Sequence, residues 1–211
     1  MDAVAYFRSY LNKYIDLSEK EFSAQIEPHI SLRKFKRKDV ITPAGEVENY
    51  FNFIVQGLAR KYFKNGDEEL VTQISHEGQI IHAQGSFHRQ RPSHYIVEAI
   101  EATTLISITF DDLNAIFSAN AKMEKMGRLV ITDIMVINDR WQMMLLKMTP
   151  RERFLDFVKR NPDLMERAPQ KHLASLLNIQ PETFSRFKHL IQSASADGTE
   201  SEDSKSDSVE E

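Results

Sequence analysis

The stretch Pro169-Gln170-Lys171-His172-Leu173-Ala174-Ser175-Leu176-Leu177-Asn178-Ile179-Gln180-Pro181-Glu182-Thr183-Phe184-Ser185-Arg186-Phe187-Lys188 reads as two short helices around a tight corner. Leu173, Leu176 and Leu177 give the first helix an apolar side, and Ala174 is small where two helices cross closely. Asn178 stands where the corner needs a left-handed residue; glycine is commonest in that role and asparagine the next most tolerant. Pro181 suits the first position of the second helix, where its missing N–H is no loss. Phe184 and Phe187 face the core, which turns Glu182, Thr183, Ser185, Arg186, Lys188 and His189 outward. This is the shape of a helix-turn-helix. An ordinary helical hairpin with a charged face is the competing reading. The outer face has the chemistry for a duplex: arginine can pair with guanine O6 and N7, and glutamate can accept from cytosine N4. Thr183, Ser185, Lys171 and Lys188 can hold phosphates.

Upstream, Thr149-Pro150-Arg151-Glu152 is a capping box with proline at the first helical position, and it marks a domain boundary. Asn161-Pro162-Asp163 ends that helix. Before the boundary, Met123, Met126, Val130, Ile134, Ile137, Trp141, Met144 and Met148 are spaced 3, 4, 4, 3, 4, 3 and 4, close to a heptad seam. Ile131, Met135, Met143, Leu145 and Leu146 widen its apolar surface. One side of such a helix can pack on its own domain, and the seam then calls for a second chain. A single buried helix in a monomer is the alternative.

Earlier still, the period changes to two. Val40-Ile41, Phe51 to Val55, Leu58 to Phe63, Leu70 to Ile74, Tyr95 to Ala99 and Thr104 to Ile108 are short and β-rich, with turn signals such as Asn65-Gly66 between them. If Asn65 and Gly66 are the two central residues of a hairpin turn, both take positive φ. Many short strands at this spacing suggest a sandwich, roll or barrel. Leu17-Ser18-x-x-Glu21 is a further capping box, so the first segment is helical.

The sequence has no cysteine, which excludes disulfides and thiolate metal sites. No apolar run approaches membrane-spanning length, and Met1-Asp2-Ala3-Val4 opens no secretory leader, so a cytoplasmic protein that does not enter membranes is expected. The net charge of −4 is unevenly spread: Asp197 to Glu211 holds seven acids and one base, whereas Thr149 to Leu190 holds eight basic and five acidic residues. A mildly basic module followed by an acidic, disordered tail is the reading. No nucleophile–base pair, P-loop or paired-carboxylate motif stands out, which argues against an enzyme.

The order of roll, seam helix and helix-turn-helix resembles the Crp/Fnr family of bacterial regulators over about residues 1–192. Gly45-Glu46, Gly57, Gly78, Ala99 through Thr103 and Glu182-Thr183-x-x-Arg186 carry the likeness. It implies an α+β chain. Residues 1–118 would form an N-terminal antiparallel β-roll of the jelly-roll, cyclic-nucleotide-binding-like kind, and 119–148 a dimerisation helix. Residues 149–194 would form a helix-turn-helix domain, and 195–211 the tail. It also implies a homodimer through 123–148 on double-stranded DNA, with RNA polymerase as a further partner and a small-molecule effector. Bases would be read at the positions of Pro181, Glu182 and Arg186, but proline offers no base contact.

The sensor departs further from the family. Cyclic-nucleotide-binding members follow the turn glycine with Phe-Gly-Glu-Leu and later Arg-Ser or Arg-Ala. Here His82 stands at the Gly, Ala83 at the ribose-binding Glu, and Ser93-His94 at Arg-Ser. A cyclic phosphate inside a roll needs a buried countercharge, which serine lacks, so no tight cyclic AMP binding is expected. His82, His88, His94 and nearby His76 raise a metal or haem reading, but their spacing fits no standard ligand motif, and histidines on loops are usually solvated. No cofactor is therefore expected. The cupin use of such a roll needs His-x-His, which is absent. The alternative function is a roll module for a ligand or partner whose DNA binding is weak or lost.

Overall fold

The computed structural model describes residues 2–199, and side chains as far as 190. It divides into two compact units between Met144 and Leu145.

The first unit opens with helices α1 (Ala3–Leu11) and α2 (Glu19–Gln25) and a 3-10 turn. The Ser18–Glu21 capping box forms as read: each side chain bonds the other's backbone N–H. Seven strands follow, β1 (Ser31–Phe35), β2 (Val40–Thr42), β3 (Tyr50–Gln56), β4 (Ala59–Asn65), β5 (Glu68–Ser75), β6 (Ile96–Ala99) and β7 (Thr103–Thr109), with α3 (Gln84–Arg89) between β5 and β6. They form two antiparallel sheets, ordered β1-β7-β3 and β2-β6-β4-β5.

Side chains alternate between two cores, as the two-residue strand period demands. Ile54 and Leu105 from the three-stranded sheet meet Ile41, Ala59, Val97 and Ala99 from the other, which makes the interior of the roll. Phe51, Phe53, Val55, Ile106 and Ile108 point the opposite way, under α1, α2, α4 (Phe110–Ser118) and α5 (Ala121–Lys147). The three-stranded sheet is thus covered on both faces. Asn52, fully buried in β3, is tolerated because its Oδ1 accepts from the Ser107 hydroxyl at 2.7 Å.

Three expectations change here. The β4–β5 hairpin pairs Asn65 with Glu68, so the central residues are Gly66 and Asp67. Only Gly66 has positive φ (61°), the arrangement of a II′ turn and not of a turn centred on Asn-Gly. Second, α5 is not a free seam along its length. Met123, Met126 and Val130 are buried in the first unit's own core, and Ile134 packs against it. The compact unit therefore extends past 118 to Met144. Apolar exposure along α5 begins only past Ile134, at Met135, Val136, Ile137, Met143 and Leu146. Third, α3 falls where the histidine run suggested loop.

The second unit holds α6 (Pro150–Arg160), α7 (Pro162–Arg167), α8 (Gln170–Leu176) and α9 (Pro181–Thr199). The Thr149–Glu152 capping box starts α6, and Asn161 ends it. The backbone of α9 stays helical to Thr199, beyond the expected limit at 194, and residues 200–211 of the expected tail lie outside the described residues.

Candidate functional site

In the second unit, the corner between α8 and α9 is built as its residues require. Asn178 has φ 51°, and the N–H of Ile179 bonds to Ala174 O at 2.9 Å. Leu173, Ala174 and Leu177 are fully buried. Phe184, also fully buried, meets the Phe154 ring edge-on at 5.0 Å, and Phe187 lies 5.6 Å from the same ring. With this side of α9 tied down, Glu182, Arg186 and His189 are exposed, as is Lys171 on α8. Thr183, Ser185 and Lys188 are half-buried on the flanks. Glu182 and Arg186 are four apart, hence neighbours on one helix face.

Arg153, on α6, is a residue that sequence reading passed over. It is buried, and its guanidinium donates to Leu145 O at 3.0 Å, Met148 O at 2.9 Å and Asn178 O at 2.9 Å. The first two are carbonyls left unpaired at the end of α5, where a cation is favoured. The third belongs to the corner itself. One side chain therefore links the end of α5 to the turn that aims α9. Only the apolar stripe of α6 was legible beforehand, since an arginine beside a phenylalanine in sequence carries no mark of burial.

In the first unit, the expected effector residues differ in their surroundings. Ala83 and Ser93 are buried, but the Ser93 hydroxyl is taken up in its own turn, donating to Tyr95 O and accepting from Tyr95 N–H, both at 2.9 Å. His94 is exposed. His82 is not solvated as expected of a loop histidine. It is 1 % exposed, tilted against Phe51 (5.2 Å) and edge-on to Phe87 (5.3 Å), with exposed His88 at 6.0 Å, and neither ring nitrogen has a hydrogen-bond partner. Burial, with Lys61 and His88 adding to it, lowers its pKa to about 3, so the ring is neutral. Among the described residues no three His, Asp or Glu side chains come together as a metal site.

Two buried charged residues here went unread. Glu48 accepts from the Thr42 hydroxyl at 2.5 Å, Tyr50 N–H at 3.1 Å and Ala83 N–H at 3.4 Å, and its own N–H donates to Ser86 Oγ at 2.9 Å. Burial raises its pKa, against the pull of these donors. A protein carboxylate thus already lies against the backbone of Ala83. Lys61, on β4, is 7 % exposed and donates to Gln84 Oε1 at 2.9 Å. Glu46, Glu48 and Lys61 look alike as letters; which charge is internal depends on sheet pairing.

A sequence search among curated proteins finds no match. Residues 32–120 match the family model of the cyclic nucleotide-binding domain. Among solved structures, the chain is similar to FixK2 from Bradyrhizobium japonicum (TM-score 0.65, 16 % identity, covering 79 % of this chain and 86 % of that one). It is also similar to the c-di-GMP responsive global regulator CLP from Xanthomonas campestris (0.61, 15 %, 84 % and 93 %). A third similar structure is the catabolite activator protein of Thermus thermophilus (0.53, 16 %, 88 % and 88 %). At these identities the likeness speaks for the fold. Residues 32–120 are thus similar to the cyclic nucleotide-binding domain, and the chain resembles these three solved structures in fold.

Proposed function

We propose that this protein is a sequence-specific, DNA-binding transcription regulator that works as a homodimer. The observation that carries the reading is the pair Glu182 and Arg186, exposed one turn apart at the start of α9, directly after a corner held by Asn178 and Arg153. Arg186 would read guanine and Glu182 cytosine, with Lys171, Thr183, Ser185 and Lys188 on phosphates and His189 beside them. The likeness to a global regulator and to a catabolite activator protein supports the same reading.

The dimer would form through the later part of α5, not through all of 123–148, because Met123, Met126 and Val130 are already covered. Ile137, Trp141 and Met144 keep the heptad spacing, and Ile137 is 56 % exposed in the single chain. A self-complementary seam favours a second copy of the same helix. Two α9 helices can then meet successive major grooves if they stand about 34 Å apart.

Cyclic AMP would not be the effector. Ser93 supplies no countercharge, and the Glu48 carboxyl already takes the Ala83 N–H. Selection of bound DNA from a random pool tests the whole proposal: a palindromic consensus supports it, and recovery of no enriched sequence removes it. The second reading, a roll module without DNA affinity, is favoured by exposed Pro181 at the head of the reading helix. Retention on random duplex at low salt separates the two.

A further inference from the structure

Within that regulator reading, which supplies a ligand-responsive roll, we propose that Lys61 is the anchor for one anionic group, a carboxylate or a phosphate, of a small molecule held in the roll interior beside Gln84. The direction of Lys61 follows from register. It lies two residues from Ala59 and opposite Val97, both members of the core between the sheets, so its stem enters the roll. The β4–β5 register shifts between Lys61 and Tyr62, a bulge of the sort that re-aims a side chain.

An ammonium in such a place wants acceptors for three protons. Lys61 has one hydrogen bond, to the neutral amide oxygen of Gln84, and the Tyr95 ring at 5.6 Å. None of the ion pairs among the described residues includes it. The preceding residue is treated differently. Arg60, equally buried, is neutralised by Glu69 at 2.7 Å and Glu98 at 3.1 Å. The fold therefore supplies carboxylates to the charge on the outer face of β4 and none to the charge on the inner face. Burial lowers the Lys61 pKa to about 8, which still leaves it mostly charged at neutral pH. His82, close enough for Lys61 to disfavour its protonation, adds two ring nitrogens without partners.

An anion arriving at Lys61 would supply the missing countercharge in a setting shielded from water, where a charge-assisted bond is strong. This cation sits on a strand of the four-stranded sheet, and not at Ser93 beyond α3, where the cyclic-nucleotide cassette would have its arginine.

Thermal unfolding of the full chain with inorganic phosphate, and separately with acetate, against chloride at matched ionic strength tests this. The proteins are wild type, Lys61→Met and Lys64→Met, the last altering an exposed lysine of the same strand. Lys61→Met removes a desolvated charge and is expected to fold. A saturating rise in Tm is expected for wild type and Lys64→Met, with apparent affinity weakened roughly tenfold or more in Lys61→Met. Whichever anion acts at the lower concentration assigns the group as phosphate or carboxylate. No saturating response to either anion in wild type, or an equal response in Lys61→Met, overturns the proposal. Retention on random duplex, measured on the same proteins without added anion, keeps the readings apart. Its loss in wild type strikes the regulator reading, and its persistence with no anion response strikes the Lys61 assignment alone.

Discussion

Arg153, Arg186 and His82 show how little a residue's type says about its task. Two are arginines in one small unit, yet one is a brace and the other a candidate reader. Replacing Arg153 by Met strands the carbonyls of Leu145, Met148 and Asn178 and should destabilise the second unit by about 2–4 kcal/mol, seen as a lower urea midpoint. Arg186→Ala should leave stability within about 0.5 kcal/mol. On DNA it should lose about 1–3 kcal/mol at the preferred site and relax specificity at one position. An equal loss on all sequences would assign Arg186 to phosphate instead. For His82 the pH sign is fixed by the lowered pKa. Above the ordinary value of 6.5 the ring is neutral both folded and unfolded. Below it the unfolded chain takes up a proton that the folded ring refuses down to about pH 3, so stability falls with pH across that window. His82→Leu should remove up to about 1.4 kcal/mol per pH unit of this slope. Denaturant titrations at pH 7 and pH 5 on both proteins measure it, and identical slopes would refute the assignment.

Among the elements, α5 carries two jobs on one sequence pattern. Its first turns belong to the core of their own unit, where Gly127 lets the Phe117 ring lie against the helix backbone; a Cβ there would collide with that ring. Glycine inside a helix costs about 1 kcal/mol, so close packing is the compensation. The later turns are apolar on more than one side, with Leu146 at 89 % exposure, and a helix apolar all round is normally covered. Ile137→Glu should therefore yield a folded monomer by sedimentation, with unchanged near-ultraviolet dichroism and weak retention on a palindrome. A dimer that survives the substitution would move the interface elsewhere. The helix boundaries were readable because their signals are local: Ser18 and Thr149 bond residues three away, and Pro181 fixes its own φ at the first helical position. The six residues of α3 were not, because no side chain caps them. They are held from a distance instead, by Phe87 buried near Phe51 and Phe110 and by Ser86 bonded to Glu48.

Across the whole molecule the charge is segregated, with eight basic and five acidic residues between Thr149 and Leu190 and seven acids after them. If α9 reads DNA as proposed, acid of that density following it in sequence would compete with phosphate. Removing residues 197–211 should tighten DNA binding at low salt, with the difference shrinking as salt screens it. Equal affinity of the two forms at low salt would reduce the tail to a solubilising role.

The periods, the caps, the left-handed Asn178 and the outward Glu182–Arg186 pair could all be read from the order of residues, because each is settled by neighbours within a turn or a strand. Which half of α5 is covered, which charges are internal, and what Arg153 holds follow from contacts between segments far apart in the chain. Lys61 and Arg60 stand side by side in the sequence, and only the pairing of β4 with β6 sends one inward without a counterion and the other out to Glu98. Burial is a property of the packed sheets, and no local pattern encodes it.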